Sequence, residues 1–227
     1  MAYMTAMTSR PTVKICGLST PETLRAALDA GADMVGFVFF PKSPRHLDLA
    51  AARDLAAQVE GRAQKVALTV DADDHTLDAI VAAIAPDLLQ LHGRETPERA
   101  AAIRARFGLP VMKAIGIASL ADLGRGAAYA GAADRLLYDA KPAPGADLPG
   151  GNGLPFDWRL LVGHTPARPM MLSGGLGPHN VAEALERTGA VAVDVSSGVE
   201  VRPGEKDPAL IRAFIEAARL GSAATLV

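Results

Sequence analysis

From Thr12 onward the chain alternates between short β-branched apolar runs and longer amphipathic segments rich in Ala, Leu, Arg and Glu. That alternation is the pattern of parallel strands joined by crossover helices. Eight strands are predicted: Val13–Cys16, Met34–Phe39, Lys65–Val70, Leu88–Leu91, Val111–Ile115, Arg135–Tyr138, Pro169–Leu172 and Ala192–Val195. A helical pattern follows each one. Several of these helices carry a start signal: Thr20 before Pro21 and Glu22, Asp48 before an Ala-rich run to Val59, Thr96 with Pro97, Ser119, Pro178, and Asp207 with Pro208. Such side-chain oxygens accept amide hydrogens that the first helical turn leaves unpaired, and proline fits the first helical position because it has none to lose.

Eight strand–helix units within residues 13–227 fit a single-domain α/β protein, the (β/α)8 TIM barrel, a fold that needs at least roughly 200 residues. The main rival is a doubly wound open sheet. It binds ligands beside an early glycine-rich turn, whereas the glycine clusters here follow the sixth, seventh and eighth strands, so the barrel is favoured. No low-complexity linker divides the chain. The Pro/Gly-rich stretch from Lys141 to Pro155 lies inside the pattern and reads as a loop over the active site.

Residues 1–12 mix Thr, Ser and Arg with Ala and Met, lack the apolar run of about 7 to 15 residues that a signal peptide needs, and are expected to be a disordered leader. No segment reaches the ~20 apolar residues of a membrane span, so the cytoplasm is the expected address. A formal net charge of -2 gives no footprint for nucleic acid or an anionic membrane. Cys16 is the one cysteine, which excludes an internal disulfide and a four-cysteine zinc site. The five histidines show no HExxH-type spacing, and no metal site is expected.

In a (β/α)8 barrel the C-terminal strand ends converge on one face, so polar residues there are the first candidates for chemistry. They are Lys14, Cys16, Lys42, Arg45, His92, Lys113, Asp139, Gly151 with Gly153, Ser173 to Gly175, Asp194 and Ser196 to Gly198. Two readings stand for Cys16: a small buried hydrophobe, or a thiolate base or nucleophile beside Gly17. Two stand for Asp139 as well, a loop cap or a proton donor partnering Cys16. Arg45, framed by prolines after the second strand, is either a solvated loop arginine or a bidentate clamp for a carboxylate. His92 is a pocket residue or a structural histidine. Lys14 shares a strand face with Cys16 and is a helper to it if its side chain reaches the mouth. The late glycine and serine clusters offer amides and hydroxyls to an anion, the usual placement of a phosphate in this fold.

Taken in order, Lys14-Ile15-Cys16-Gly17, Gly36-Phe37-Val38-Phe39 with Ser43-Pro44-Arg45, Gln90-Leu91-His92-Gly93, Leu137-Tyr138-Asp139, Gly150-Gly151-Asn152-Gly153 with Phe156-Asp157-Trp158, Leu172-Ser173-Gly174-Gly175-Leu176, and Asp194-Val195-Ser196-Ser197-Gly198-Val199-Glu200 resemble the phosphoribosylanthranilate isomerases. The resemblance implies an Amadori rearrangement of N-(5-phosphoribosyl)anthranilate in tryptophan biosynthesis, with neither metal nor organic cofactor. It implies Cys16 as general base, Asp139 as general acid, and Arg45 as partner of the anthranilate carboxylate. Gly151, Gly153, Gly174, Gly175, Ser196, Ser197 and Gly198 would bind the phosphate, with Lys14, His92 and Asp194 as further pocket residues. Asn152 and Leu154 depart from the family's usual Thr and polar residue, which weakens the phosphate inference in that loop. The expected partner is a small phosphorylated substrate, with no nucleic acid and no membrane, and the assembly a monomer or homodimer.

The rivals are other sugar-phosphate barrels and a non-catalytic barrel that binds a phosphorylated ligand. An epimerase would want paired carboxylates and a metal site, and indoleglycerol-phosphate synthase would want lysines and carboxylates at strand ends. The Cys16 and Asp139 pair argues against both.

Overall fold

The computed structural model describes residues 10–142, 148, 150, 151 and 156–221. Its eight parallel strands close into a barrel in chain order: β1 Thr12–Cys16, β2 Met34–Phe39, β3 Gln64–Thr69, β4 Leu88–Leu91, β5 Val111–Ile117, β6 Arg135–Ala140, β7 Met170–Leu172 and β8 Ala192–Val195. Around it run α1 Pro21–Asp29, α2 Leu49–Ala57, α3 Asp74–Ile84, α4 Pro97–Phe107, α5 Leu120–Gly124, α6 Val181–Thr188 and α7 Pro208–Gly221. A two-strand hairpin of β9 Glu200–Arg202 and β10 Glu205–Lys206 stands between β8 and α7.

The predicted caps form at the helix starts. Thr20 accepts from the Thr23 amide, Asp48 from Ala51 at 2.8 Å, and Thr96 from Arg99 at 3.2 Å, each satisfying a donor of the first turn. A second device recurs at the bottom of the barrel. Asp33, Asp87 and Asp134, each just ahead of an even-numbered strand, accept the amides of Val13, Lys65 and Val111 on the preceding odd-numbered strand at 2.7 to 2.9 Å. These side chains pin each strand pair where the ladder begins.

Alternation in the strands divides the core in two. Val13, Ile15, Val35, Phe37, Leu89 and Leu91 point outward into the layer beneath the helices. Met34, Val66, Leu88, Met112, Leu137 and Met171 fill the lower interior of the barrel, and Cys16, Val38 and Leu68 pack together nearer the top.

Three expectations are corrected. β1 begins at Thr12, whose amide donates to Val191, and Arg10 binds the Gly31 carbonyl, so the fold takes in part of the 1–12 stretch expected to be a disordered leader. Residues 1–9 and 222–227 lie outside the described residues. The unit after β6 holds a short 3-10 turn, Trp158–Leu161, in place of an α-helix. Finally, α6 starts at Val181 and not at Pro178: the Asn180 side chain accepts from Gly177 and donates to Gly175, holding the preceding residues in a loop.

Candidate active site

The strand ends open into a cavity of ≈ 870 Å³ of empty space, its open mouth included, lined by Cys16, Arg45, His92, Asp139, Gly151, Gly174, Gly175, Asp194, Ser196 and Ser197 among others. Apolar walls come from Val38, Phe40, Leu68, Val70 and Leu176.

Cys16 ends β1 and is almost fully buried. Gly36 on β2 makes this possible, since a Cβ there would sit 3.0 Å from Cys16 Sγ and 3.3 Å from Lys14 Cε. Burial pushes the Cys16 thiol up from its ordinary value; the Lys14 charge opposes this and Asp194 adds to it. Lys14 does not reach the cavity. It is fully buried one layer below, where its ammonium meets Asp194 Oδ1 at 2.7 Å. Burial alone would lower the Lys14 pKa, but the Asp194 carboxylate outweighs it and the net direction is up. Ser173 donates to the other oxygen of Asp194 at 3.2 Å.

Asp139 lies inside β6, opposite Gly116 of β5. Its Oδ1 accepts the Ala140 amide at 2.9 Å, and its Oδ2 faces His92 Nε2 at 3.3 Å. The far side of the His92 ring meets Gln90 Nε2 at 2.9 Å. Gly150 roofs this pair, and a Cβ there would collide with both Asp139 Oδ2 and His92 Nε2.

Arg45 is folded inward over Gly17 and is nearly buried. Glu200 holds it by two hydrogen bonds, from Nε at 2.7 Å and from Nη2 at 2.8 Å. Nη2 also points at the Gly151 carbonyl, 3.4 Å away. Thus one edge of the guanidinium is occupied by the protein and the Nη1 edge faces Gly151 and the cavity. Glu200 in turn accepts from Lys206 Nζ at 2.9 Å, and Lys206 donates to the Ser196 carbonyl at 3.1 Å. Burial would raise the Glu200 carboxyl, yet Arg45 and Lys206 hold it below the ordinary carboxylate range.

Gly174 and Gly175 both adopt left-handed φ, +88° and +64°, and their amides donate to no acceptor among the described residues. Ser196 and Ser197 face the cavity across from them. Gly198 does not line it: a side chain there would strike the Leu176 carbonyl, so this glycine lets the loops after β7 and β8 touch. Gly153, with Asn152 and Leu154, lies outside the described residues. Lys42 is exposed on its loop, away from the cavity wall. Lys113 is turned to Leu91, Gly93 and Glu95, tying down the loop after β4. Among the described residues no group of three or more His, Cys, Asp and Glu side chains is placed to hold a metal ion, and no helix is long and apolar enough to cross a membrane.

The sequence motifs contain Gln90 and Glu200 but assign them no task, count Gly150 only within a glycine cluster offered to an anion, and leave out Lys206. Glu200 meets Arg45 from 155 positions away, so local pattern carries no signal for it, whereas Gln90 stands two residues before His92 on one side of the strand, a spacing from which the pair could have been found.

The model of the N-(5'phosphoribosyl)anthranilate (PRA) isomerase family matches residues 13–217. The N-(5'-phosphoribosyl)anthranilate isomerase of Nitrobacter winogradskyi is 63% identical over 207 residues, covering 91% of this chain and 92% of its own. A phosphoribosyl anthranilate isomerase solved in complex with reduced 1-(o-carboxyphenylamino)-1-deoxyribulose 5-phosphate superposes with a TM-score of 0.80 at 33% identity, covering 92% and 98% of the two chains. Monomers generated from the dimeric phosphoribosylanthranilate isomerase of Thermotoga maritima give a TM-score of 0.79 at 34% identity, with the same coverage.

Proposed function

The chain belongs to the N-(5'-phosphoribosyl)anthranilate isomerase family, and from that premise we propose how its residues divide the reaction. The reaction is the Amadori rearrangement of tryptophan biosynthesis, an aldose-to-ketose isomerisation of N-(5-phosphoribosyl)anthranilate to 1-(2-carboxyphenylamino)-1-deoxyribulose 5-phosphate. In our reading Asp139 delivers a proton to the furanose ring oxygen while the nitrogen lone pair breaks the C1–O bond, leaving an iminium. Cys16, as thiolate, takes the proton from C2, and the released electron pair moves into the iminium to give an enolamine. That species tautomerises to the ketone. The two enzyme-borne proton transfers carry the substrate to the enolamine, and the tautomerisation then moves the 2-hydroxyl proton off oxygen as C1 gains one.

One observation carries the assignment: Cys16 and Asp139 face a single cavity from β1 and β6, and that cavity runs from the free edge of Arg45 to the unpaired amides of Gly174 and Gly175. The anthranilate carboxylate would take the Nη1 edge of Arg45, since Glu200 keeps the other. The phosphate would take the Gly174 and Gly175 amides with Ser196 and Ser197, and Gly151 would close the site beside Arg45. Because the burial of Cys16 raises its pKa, the base acts through a minority thiolate that the Lys14 charge sustains.

Each chain carries both proton-transfer groups, so a monomer and a homodimer are equally competent, and the same address, the cytoplasm, suits a lone reduced cysteine.

The test is the loss of anthranilate-type fluorescence when the purified protein meets freshly generated phosphoribosylanthranilate in the presence of EDTA. Rapid loss by wild type, abolished in Cys16→Ala and in Asp139→Asn while both keep the wild-type circular dichroism, is the expected result. Near-wild-type turnover by either variant sinks the acid–base assignment.

A further inference from the structure

Gln90 is completely buried and presents its amide nitrogen to His92 Nδ1 at 2.9 Å, while its Oε1 has no hydrogen-bond partner among the described residues. An amide nitrogen can only donate, so Nδ1 must accept. The ring proton is thereby assigned to Nε2, the nitrogen 3.3 Å from Asp139 Oδ2. Asp139 Oδ1 already accepts the Ala140 amide. Both carboxyl oxygens therefore meet donors that do not move when the proton leaves.

We propose that His92 is a positioning residue for the general acid, and that Gln90 makes it one by fixing the Nε2–H tautomer. As Asp139 gives its proton to the ring oxygen, negative charge grows on its two oxygens. The Ala140 N–H and the His92 Nε2–H receive that charge without reorganising, which lowers the barrier to ring opening. The inference rests on Asp139 being the acid, as argued above.

The experiment has two arms. The first is 15N NMR of the histidine rings in the full-length enzyme at neutral pH, assigned with His92→Leu; the Nε2–H tautomer is expected for His92 in wild type, and its loss in Gln90→Glu, whose carboxylate would draw the proton to Nδ1. An Nδ1–H or doubly protonated ring in wild type overturns the proposal, whatever the role of Asp139. The second is kinetics. His92→Leu should lower kcat roughly 100-fold, the usual cost of one lost charge-stabilising donor, with KM within about twofold of wild type. His92→Gln, whose terminal amide donates from near the Nε2 position, should recover kcat to within about fivefold of wild type. A leucine variant as fast as wild type, or a glutamine variant as slow as the leucine one, overturns it. Full activity in Asp139→Asn would instead remove the acid assignment and leave the tautomer result standing.

Discussion

Glu200 grips Arg45 along one edge of the guanidinium, Nε to Oε1 at 2.7 Å and Nη2 to Oε2 at 2.8 Å, and so aims the remaining edge at the cavity. The two residues are 155 positions apart in the chain, and Lys206 and the Gly204 amide hold Glu200 from behind. A free arginine would lose rotamer entropy on taking up a carboxylate; this one has lost it on folding. Glu200→Ala should therefore weaken substrate binding. A hydrogen bond to a charged group is worth about 1.5 to 3 kcal/mol, so KM should rise roughly 10- to 100-fold with kcat changed much less. Steady-state kinetics followed by anthranilate fluorescence would check this, and an unchanged KM would show that Arg45 holds its pose unaided.

The pH profile should report the buried thiol. Burial lifts the Cys16 pKa above the ordinary 9.0, Lys14 pulls it back and Asp194 adds to the rise. Alkylation by iodoacetamide consumes the thiolate, so raising the thiol pKa moves the rise of the alkylation rate toward alkali. The rate at Cys16 should keep climbing through neutrality without a plateau below about pH 9. The same shift has a stability consequence of fixed sign. A raised folded-state pKa contributes stability below the unfolded thiol pKa, and that contribution is lost as pH rises through the folded one. An alkylation rate already level near pH 7 would contradict this.

Gly150 should be intolerant for a local reason. A Cβ at Gly150 would fall on Asp139 Oδ2 and His92 Nε2, so a methyl group must push one of them aside. Misplacing a reacting group by about 1 Å can cost roughly 100-fold in rate, and Gly150→Ala should lower kcat on that scale. Its thermal midpoint should stay close to wild type, because the collision lies at the mouth of the barrel and not in its core. A variant with wild-type kcat would mean that the loop relaxes freely.

The Lys14–Asp194 pair makes a prediction about stability. Both groups are buried, with Nζ to Oδ1 at 2.7 Å. Removing one partner leaves an uncompensated charge in the barrel interior, a loss of about 3 to 5 kcal/mol. Asp194→Ala should show it in urea unfolding. Lys14→Met combined with Asp194→Leu should recover most of the loss, since apolar replacement of a whole buried pair is commonly neutral. If the double variant is no more stable than the single, the pair is not the source of the loss.

Much of this molecule is legible along the chain. Strand periodicity, the Thr20, Asp48 and Thr96 caps, and the left-handed glycines Gly151, Gly174 and Gly175 are local features, set by the pleat, by unpaired first-turn amides and by backbone that side chains resist, and the structure contains them where the pattern predicts. Cys16, Arg45, His92 and Asp139 were visible as polar residues where apolar strands end. Closing the barrel was needed to bring them to one cavity.

What remained hidden depends on contacts between distant segments. Lys14 reads as a helper at the mouth, yet its side chain is drawn down to Asp194, 180 residues away, because a buried ammonium must find a carboxylate. Gly198 reads as part of a phosphate cradle, yet it serves the packing of one loop on another. The hold of Glu200 on Arg45 arises only when strand ends converge. The sequence by itself determined the elements, their order and the chemical groups at their ends, because those follow from short-range sterics and hydrophobic periodicity. Only the tertiary structure decided which groups are charged partners and which face the cavity, because burial and ion pairing across the barrel set those and neither is written in neighbouring residues.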